Sequence, residues 1–242
     1  MVGRKLSFVM AKSSSPPVSD AAGDYLKAIW SLSRHGPAST NAIAARLGFT
    51  PASVSGMLAR LDEAGLVEHV RYRGATLTEA GRREALRLIR RHRLVETFMI
   101  RDLGYRWDEV HDEAEALEHA VSDRFAERLA DLLGHPSHDP HGDPIPRPDG
   151  TVPPTPDLPL TEVEHGARLR VARLLSQDGA VLEHLAALGI EPGSTVRVTG
   201  REPLGGIVQL EVDGRPCALS RDLAERVRGE PLADARLRQE LP

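Results

Sequence analysis

"STNAIAARLGFTPASVSGMLARLDEAGLV", residues 39–67, decides the fold. It predicts a short helix from about Thr40 to Leu47, a turn at Gly48 to Thr50, and a longer helix from Pro51 to about Ala64. Thr50 has the chemistry of an N-cap, Pro51 suits the first helical position, and Gly65 supplies the C-terminal stop. Upstream, "DAAGDYLKAIWSLSR" at 20–34 spaces Tyr25, Leu26, Ile29, Trp30 and Leu32 as one helix, which "HGP" at 35–37 ends. Downstream, "LVEHVRYRGATLTEAG" alternates and turns at Arg73-Gly74, as a two-stranded ribbon does. Helix, helix, turn, helix, ribbon is the outline of a winged helix-turn-helix.

Farther along, Thr78 to Leu103 and Asp108 to Leu133 each read as one long helix. Nine of the 18 prolines fall between His135 and Pro159, a density no regular helix survives. Beyond them, "LRVARLLS", "AVLEHLAALGIEPG", "STVRVTGREPLGGIVQLEVDGRPCALS" and "DLAERVRGEP" suggest a small domain of short strands with one helix, and "VDGR" a hairpin turn. The expected fold is mainly α with small β. Its parts are an extension (1–19), a winged helix-turn-helix (20–85), a helical domain (86–150), a Pro-rich linker (151–160) and a C-terminal β-rich domain (161–242).

Charge is distributed unevenly over the 242 residues. Residues 1–101 hold 16 Lys/Arg against 8 Asp/Glu, whereas residues 102–160 hold 4 against 14. A basic first part followed by an acidic middle fits an element that neutralises phosphates joined to one that collects cations. The lone Cys217 permits no intrachain disulfide, and no run approaches the roughly 18 apolar residues of a spanning helix. A cytoplasmic protein without a membrane partner is therefore expected.

If the helix from Pro51 enters a major groove, its first turns present Thr50, Pro51, Ser53, Ser55 and Gly56 to base edges, with Arg60 farther along for phosphate. Thr40 and Asn41 open the preceding helix, where side chains and free amides can bond backbone oxygens. Arg71, Tyr72 and Arg73 form a wing tip suited to phosphate or minor groove. The competing reading is a winged domain that binds protein or is purely structural.

The acidic middle contains "VHDEAEALEHAVSD", residues 110–123. At about 100° per residue, Val110, Ala114, Leu117, Val121 and Phe125 share one apolar arc, with Glu118, His111, Glu115 and His119 along its flank. Glu115, Glu118 and His119 are helix neighbours and can converge on one cation. His92 and Glu96 are an i, i+4 pair on the preceding helix, and with His111 they could complete a second site. Read alone, each pair is also compatible with an exposed, salt-bridged face, and His92 inside "RRHR" favours that. Carboxylate and imidazole without thiolate suit the harder divalent ions, manganese or ferrous iron. Leu117, Val121, Phe125 and Leu129 are candidates for a dimer seam or for intrachain core. "HPSHDPHGD" offers His135, His138 and His141, but it reads as a turn in a linker.

Enzyme patterns are missing. "EALEH" has Glu where the H-x-x-E-H protease motif needs its first His, and the Glu-x-x-His of di-iron bundles is not met. There is no serine elbow, phosphate loop or dinucleotide fingerprint, so no catalytic role and no small-molecule substrate are expected. A metal chaperone or a hydrolase using the acidic helix is the alternative from another class.

"DYLKAIW", "TPASVSGMLARLDEAGLV", "RHRLVETF", "VHDEAEALEHAVSD" and "PHGDPIP", in this order and spacing, resemble the diphtheria toxin repressor and manganese transport regulator family, which comprises metal-activated bacterial transcriptional repressors. The likeness covers about residues 20–150, and "LGIEPGSTVRV" resembles the SH3-like, FeoA-type domain of many members. The resemblance implies a helical dimerisation domain over 86–150. It also implies a primary metal site of Asp24, Glu115, Glu118 and His119, with His92, Glu96 and His111 as an ancillary site. Carboxylates at Asp24 and Glu115 are those of manganese-responsive members, so Mn(II) is implied, with Fe(II) the alternative. Lys27 stands where a further glutamate ligand can occur, a departure from the short manganese-sensing type. Gln177 is an added candidate for a ligand from the C-terminal domain, against packing or exposure. The implied activity is metal-dependent repression of metal-homeostasis genes, by a homodimer on a palindromic double-stranded operator.

Overall fold

The computed structural model describes residues 19–33, 36–70, 73–107, 109–202 and 206–232. It divides into two compact units, residues 1–82 and 83–242. Arg71 and Tyr72 of the expected wing tip, and nearly all of the 1–19 extension, lie outside the described residues.

In the first unit, α1 (Asp20–Leu32), α2 (Thr40–Leu47) and α3 (Pro51–Glu63) precede a ribbon of β1 (Val67–Val70) and β2 (Gly74–Leu77). Each helix starts on the cap its sequence offers. Ser19, Ser39 and Thr50 are extended, and their hydroxyls accept the amides of Ala22, Ala42 and Ser53. Gly48 ends α2 in the left-handed region at φ 70°, which makes the tight turn into α3. Leu26, Ile29, Ile43, Val54 and Leu58 are completely buried, at about 1.5–3 kcal/mol of favourable transfer each. Ala38 pairs with Ala75 beside the antiparallel ribbon, so the wing is tied to the segment entering α2.

The second unit has two cores. In the first, α4 (Glu79–Leu103), which begins in the preceding unit, packs with α5 (Val110–Glu118) and α6 (Asp123–Leu133) around Leu94, Met99, Val110, Ala114, Leu129 and Leu133. The single helix expected over 108–133 is thus two. His119 and Ala120 turn, and Ser122 adopts extended angles (φ -77°, ψ 158°) to cap α6 through the Phe125 amide. The apolar arc therefore breaks. Val110 and Ala114 are core, whereas Leu117 and Phe125 are exposed together with Leu132.

The proline-dense stretch has no helix, and its ring nitrogens cannot donate, so its carbonyls are free to accept. Arg90 donates to the Pro146 oxygen at 3.1 Å and Arg93 to that of Pro144, which straps the segment along α4. The second core lies within an antiparallel sheet of order β3-β8-β4-β5-β6-β7, namely β3 (Leu158–Pro159), β4 (Arg168–Leu174), β5 (Thr195–Arg201), β6 (Ile207–Val212), β7 (Arg215–Ser220) and β8 (Val227–Leu232). The expected "VDGR" hairpin joins β6 to β7 with positive φ at Asp213 and Gly214, the geometry of a primed turn. Besides α7 (Gly179–Ala187), a six-residue helix α8 (Arg221–Arg226) was not expected; the Ser220 hydroxyl caps it through the Leu223 amide. No helix among the described residues is long and apolar enough to cross a membrane.

Candidate metal centre and reading helix

His92 and Glu96 stand one turn apart on α4 and face α5, where His111, Glu115 and Glu118 occupy successive turns. Their side chains meet. His92 Nε2 is 3.0 Å from Glu96 Oε1, and His92 Nδ1 is 2.7 Å from Glu118 Oε2 and 3.8 Å from Glu115 Oε2. His111 Nδ1 is 3.1 Å from the same Glu96 oxygen, and its Nε2 lies 4.0 Å from Glu115. His119 Nε2 approaches Glu118 Oε1 at 3.3 Å. His92 is ion-paired as expected of a salt-bridged face, but the exposed part of that reading is overturned, because burial leaves it only 8% exposed, Glu96 3% and Glu118 0%.

A neutral imidazole has one N–H, yet His92 faces a carboxylate at each nitrogen. Burial opposes the charged ring, but Glu96 and Glu118 outweigh it and raise His92 to about 10. Burial likewise works against ionised Glu96, while His92 and His111 hold that carboxylate well below its usual range. Without a cation the cluster compensates its own charge by keeping a proton.

A third group was not foreseen. Asp139 and His141, from the stretch read as a linker turn, come together with Glu96, their ligand atoms all within 4.8 Å of one another. All three are buried, and His141 Nε2 has no hydrogen-bond partner among the described residues. Burial, with Asp143 adding a second carboxylate, raises Asp139 to about 8, and burial pushes His141 down. Asp139 Oδ1 accepts the amides of His141 and Asp143 at 2.9 Å each, while Arg93 lies 3.5 Å from its other oxygen. The signal in the sequence was the D-P-H spacing, which puts two ligand types two residues apart before a glycine. His135 is exposed and pairs with Asp131; His138 bonds Ser137 and Thr155.

Imidazole and carboxylate atoms converging in buried, partly unsatisfied positions fit a divalent cation. His92, His111 and Glu115 form a second group within 4.8 Å, in which only His92 is buried. Gln177 is exposed in the connection ahead of α7. In the other unit, Asp24 pairs with Lys27 one turn on, at 3.5 Å.

On α3, the Thr50 hydroxyl accepts the Ser53 amide and lies 3.0 Å from the Ser53 hydroxyl, while Ser55 donates to the Pro51 carbonyl. These hydroxyls are used locally, yet Pro51, Ala52, Ser53, Ser55, Gly56 and Arg60 are all exposed. Apart from Arg60, these exposed side chains are small. Thr40 and Asn41 occupy the first turn of α2, and Arg73 lies in the turn immediately before β2.

Three family descriptions match this chain in order. Residues 18–75 match "Iron dependent repressor, N-terminal DNA binding domain", residues 78–147 "Iron dependent repressor, metal binding and dimerisation domain", and residues 158–231 "FeoA domain". The iron-dependent repressor IdeR of Mycobacterium tuberculosis is 32% identical over 220 residues, covering 85% of this chain and 95% of that protein. The diphtheria toxin repressor of Corynebacterium diphtheriae is 31% identical, covering 86% and 96%. A solved manganese-dependent transcriptional repressor in complex with manganese shares 43% identity with a TM-score of 0.82, covering 87% of this chain and all of that one. The structure of ScaR with bound cadmium shares 33% at a TM-score of 0.77, covering 86% and 98%.

Proposed function

The chain belongs to the family of metal-dependent repressors that includes the diphtheria toxin repressor and IdeR, and from that membership we propose that it is a Mn(II)-responsive regulator of metal-homeostasis genes. Its standing as a metal-dependent transcriptional repressor follows from the family; the metal, the ligands and the operator are our reading. Relatives named for iron and for manganese both occur. The lack of thiolate or thioether among the proposed ligands suits manganese or ferrous iron, and the carboxylates at Asp24 and Glu115, the pattern of manganese-responsive members, support manganese, with Fe(II) the alternative.

We assign the primary site to Asp24, Glu115, Glu118 and His119, and the ancillary site to His92, Glu96 and His111. Glu96, Asp139 and His141 make a third. The observation that carries the reading is the wholly buried Glu118 carboxylate between two imidazoles, a costly arrangement unless charge is balanced there. Bound at the primary site, the cation would cancel carboxylate repulsion and favour one orientation of the reading unit. A cation at the ancillary site would require His92 to lose its proton to solvent, and Lys27, beside Asp24, supplies an ammonium where a further carboxylate would otherwise stand.

The exposed face of α3, from Thr50 through Pro51, Ser53 and Ser55 to Arg60, would enter the major groove. Thr40, Asn41, Arg71, Tyr72 and Arg73 would fix it on the phosphates. Two copies joined through the helical domain would present two such helices to a palindromic operator. The test is a gel shift with duplexes selected from a random pool, run with Mn(II) and with chelator. Binding is expected only with metal, and Glu115→Ala or His119→Ala should remove it. Equal retardation in every lane would refute metal activation.

A further inference from the structure

The turn that carries Asp139 and His141 is gripped from behind by the FeoA-type domain. The Leu174 amide donates to the His141 carbonyl at 2.9 Å. Gly142, at φ +85°, lies so close to β4 that a Cβ would overlap the Ala172 carbonyl oxygen. That contact falls where β4 shifts register against β8, between Val171 and Arg173. Arg173, buried, pairs with Asp143 and approaches Asp157 at 3.8 Å. From the α4–α5 connection, Trp107 sets its ring edge-on to His141, centroids 5.0 Å apart, and packs against the apolar core of the FeoA-type domain. Arg106 beside it pairs with Glu183 on α7.

We propose that the FeoA-type domain is the latch of the Glu96–Asp139–His141 site, so that seating of the domain and cation binding there are one linked equilibrium, with Trp107 as the wedge common to both. This rests on reading that cluster as a cation site. The domain donates no ligand in this arrangement. It acts through backbone position: His141 is held by its carbonyl, by the close approach of Gly142 and by the indole edge, which together aim the imidazole at Glu96. A cation that prefers the aimed imidazole also prefers the seated domain, and linkage makes the effect reciprocal.

Hydrogen exchange on the full chain, with and without Mn(II), reads the latch at the Leu174 amide, and calorimetry counts bound manganese. In the wild type, Mn(II) should slow exchange at Leu174 by about tenfold or more. Asp139→Asn should lose both that slowing and one equivalent of metal. Arg173→Met, which touches no ligand, should keep the equivalent but weaken it by the factor seen in exchange. Should Arg173→Met unfold, Trp107→Ala must weaken the same equivalent and Trp107→Phe restore it. Exchange indifferent to Mn(II), with Asp139→Asn still removing one equivalent, would overturn the latch and leave the site standing. If Asp139→Asn removes no equivalent, the cation reading of the cluster falls and the latch with it.

Discussion

His92 accounts for most of the electrostatics at the scale of single residues. It and Asp139 are both shifted upward, to about 10 and about 8, so both hold a proton near neutrality that a cation must displace. Manganese affinity should rise with pH, by up to about tenfold per pH unit for each proton released. Calorimetry in buffers of different ionisation enthalpy counts those protons, and a count of zero would contradict the assignment. The same shifts set the stability of the metal-free fold. Both folded-state values exceed their unfolded ones, so the native state binds more protons and stability falls as pH rises. For His92 the contribution is complete below about pH 6.5 and fades towards 10; for Asp139 it is complete below about pH 4 and fades through 8. The Tm of metal-free protein should therefore drop between about pH 6.5 and pH 9, and a rising trace would be inconsistent with this. His92 and Glu96 were legible as a pair from i, i+4 spacing, but the burial that supports reading them with His111 as a site was not, since arginines flank His92 in sequence while the Glu96 and Glu118 carboxylates meet it in space. His141 was noticed but read with its neighbours as a linker turn, and Asp139 was passed over, because proline density argues correctly against a helix and says nothing about where an irregular segment is strapped.

Among the elements, the break between α5 and α6 matters most. Periodicity ran on through Phe125, and only the cap chemistry of Ser122 marks the interruption. Ser122→Ala should cost about 1 kcal/mol in chemical denaturation, against a few tenths for an exposed serine with no capping role. The helix-turn-helix was readable to the residue because three independent signals agree there: Thr50 as cap, Pro51 at the first position, Gly48 left-handed. In the C-terminal domain, alternation revealed strands, and the primed turn at Asp213-Gly214 fixed one hairpin. The pairing of β8 between β3 and β4 is long-range in sequence, and no local pattern encodes it.

For the whole molecule, Leu117, Phe125 and Leu132 leave large apolar side chains in solvent on the domain whose family description includes dimerisation. A second copy would cover them. Phe125→Glu should shift sedimentation from dimer to monomer and weaken operator binding while leaving the manganese count per chain unchanged; a dimer that survives would place the seam elsewhere. The central claim is that a cation held by Asp24, Glu115, Glu118 and His119 governs DNA reading. A manganese anomalous-difference map from crystals grown with Mn(II) tests it most directly. The account predicts a peak within about 2–2.6 Å of an oxygen or nitrogen from each of those four side chains. A map in which they bind nothing, or in which Asp24 stays with Lys27 while the other three hold the ion alone, would contradict it.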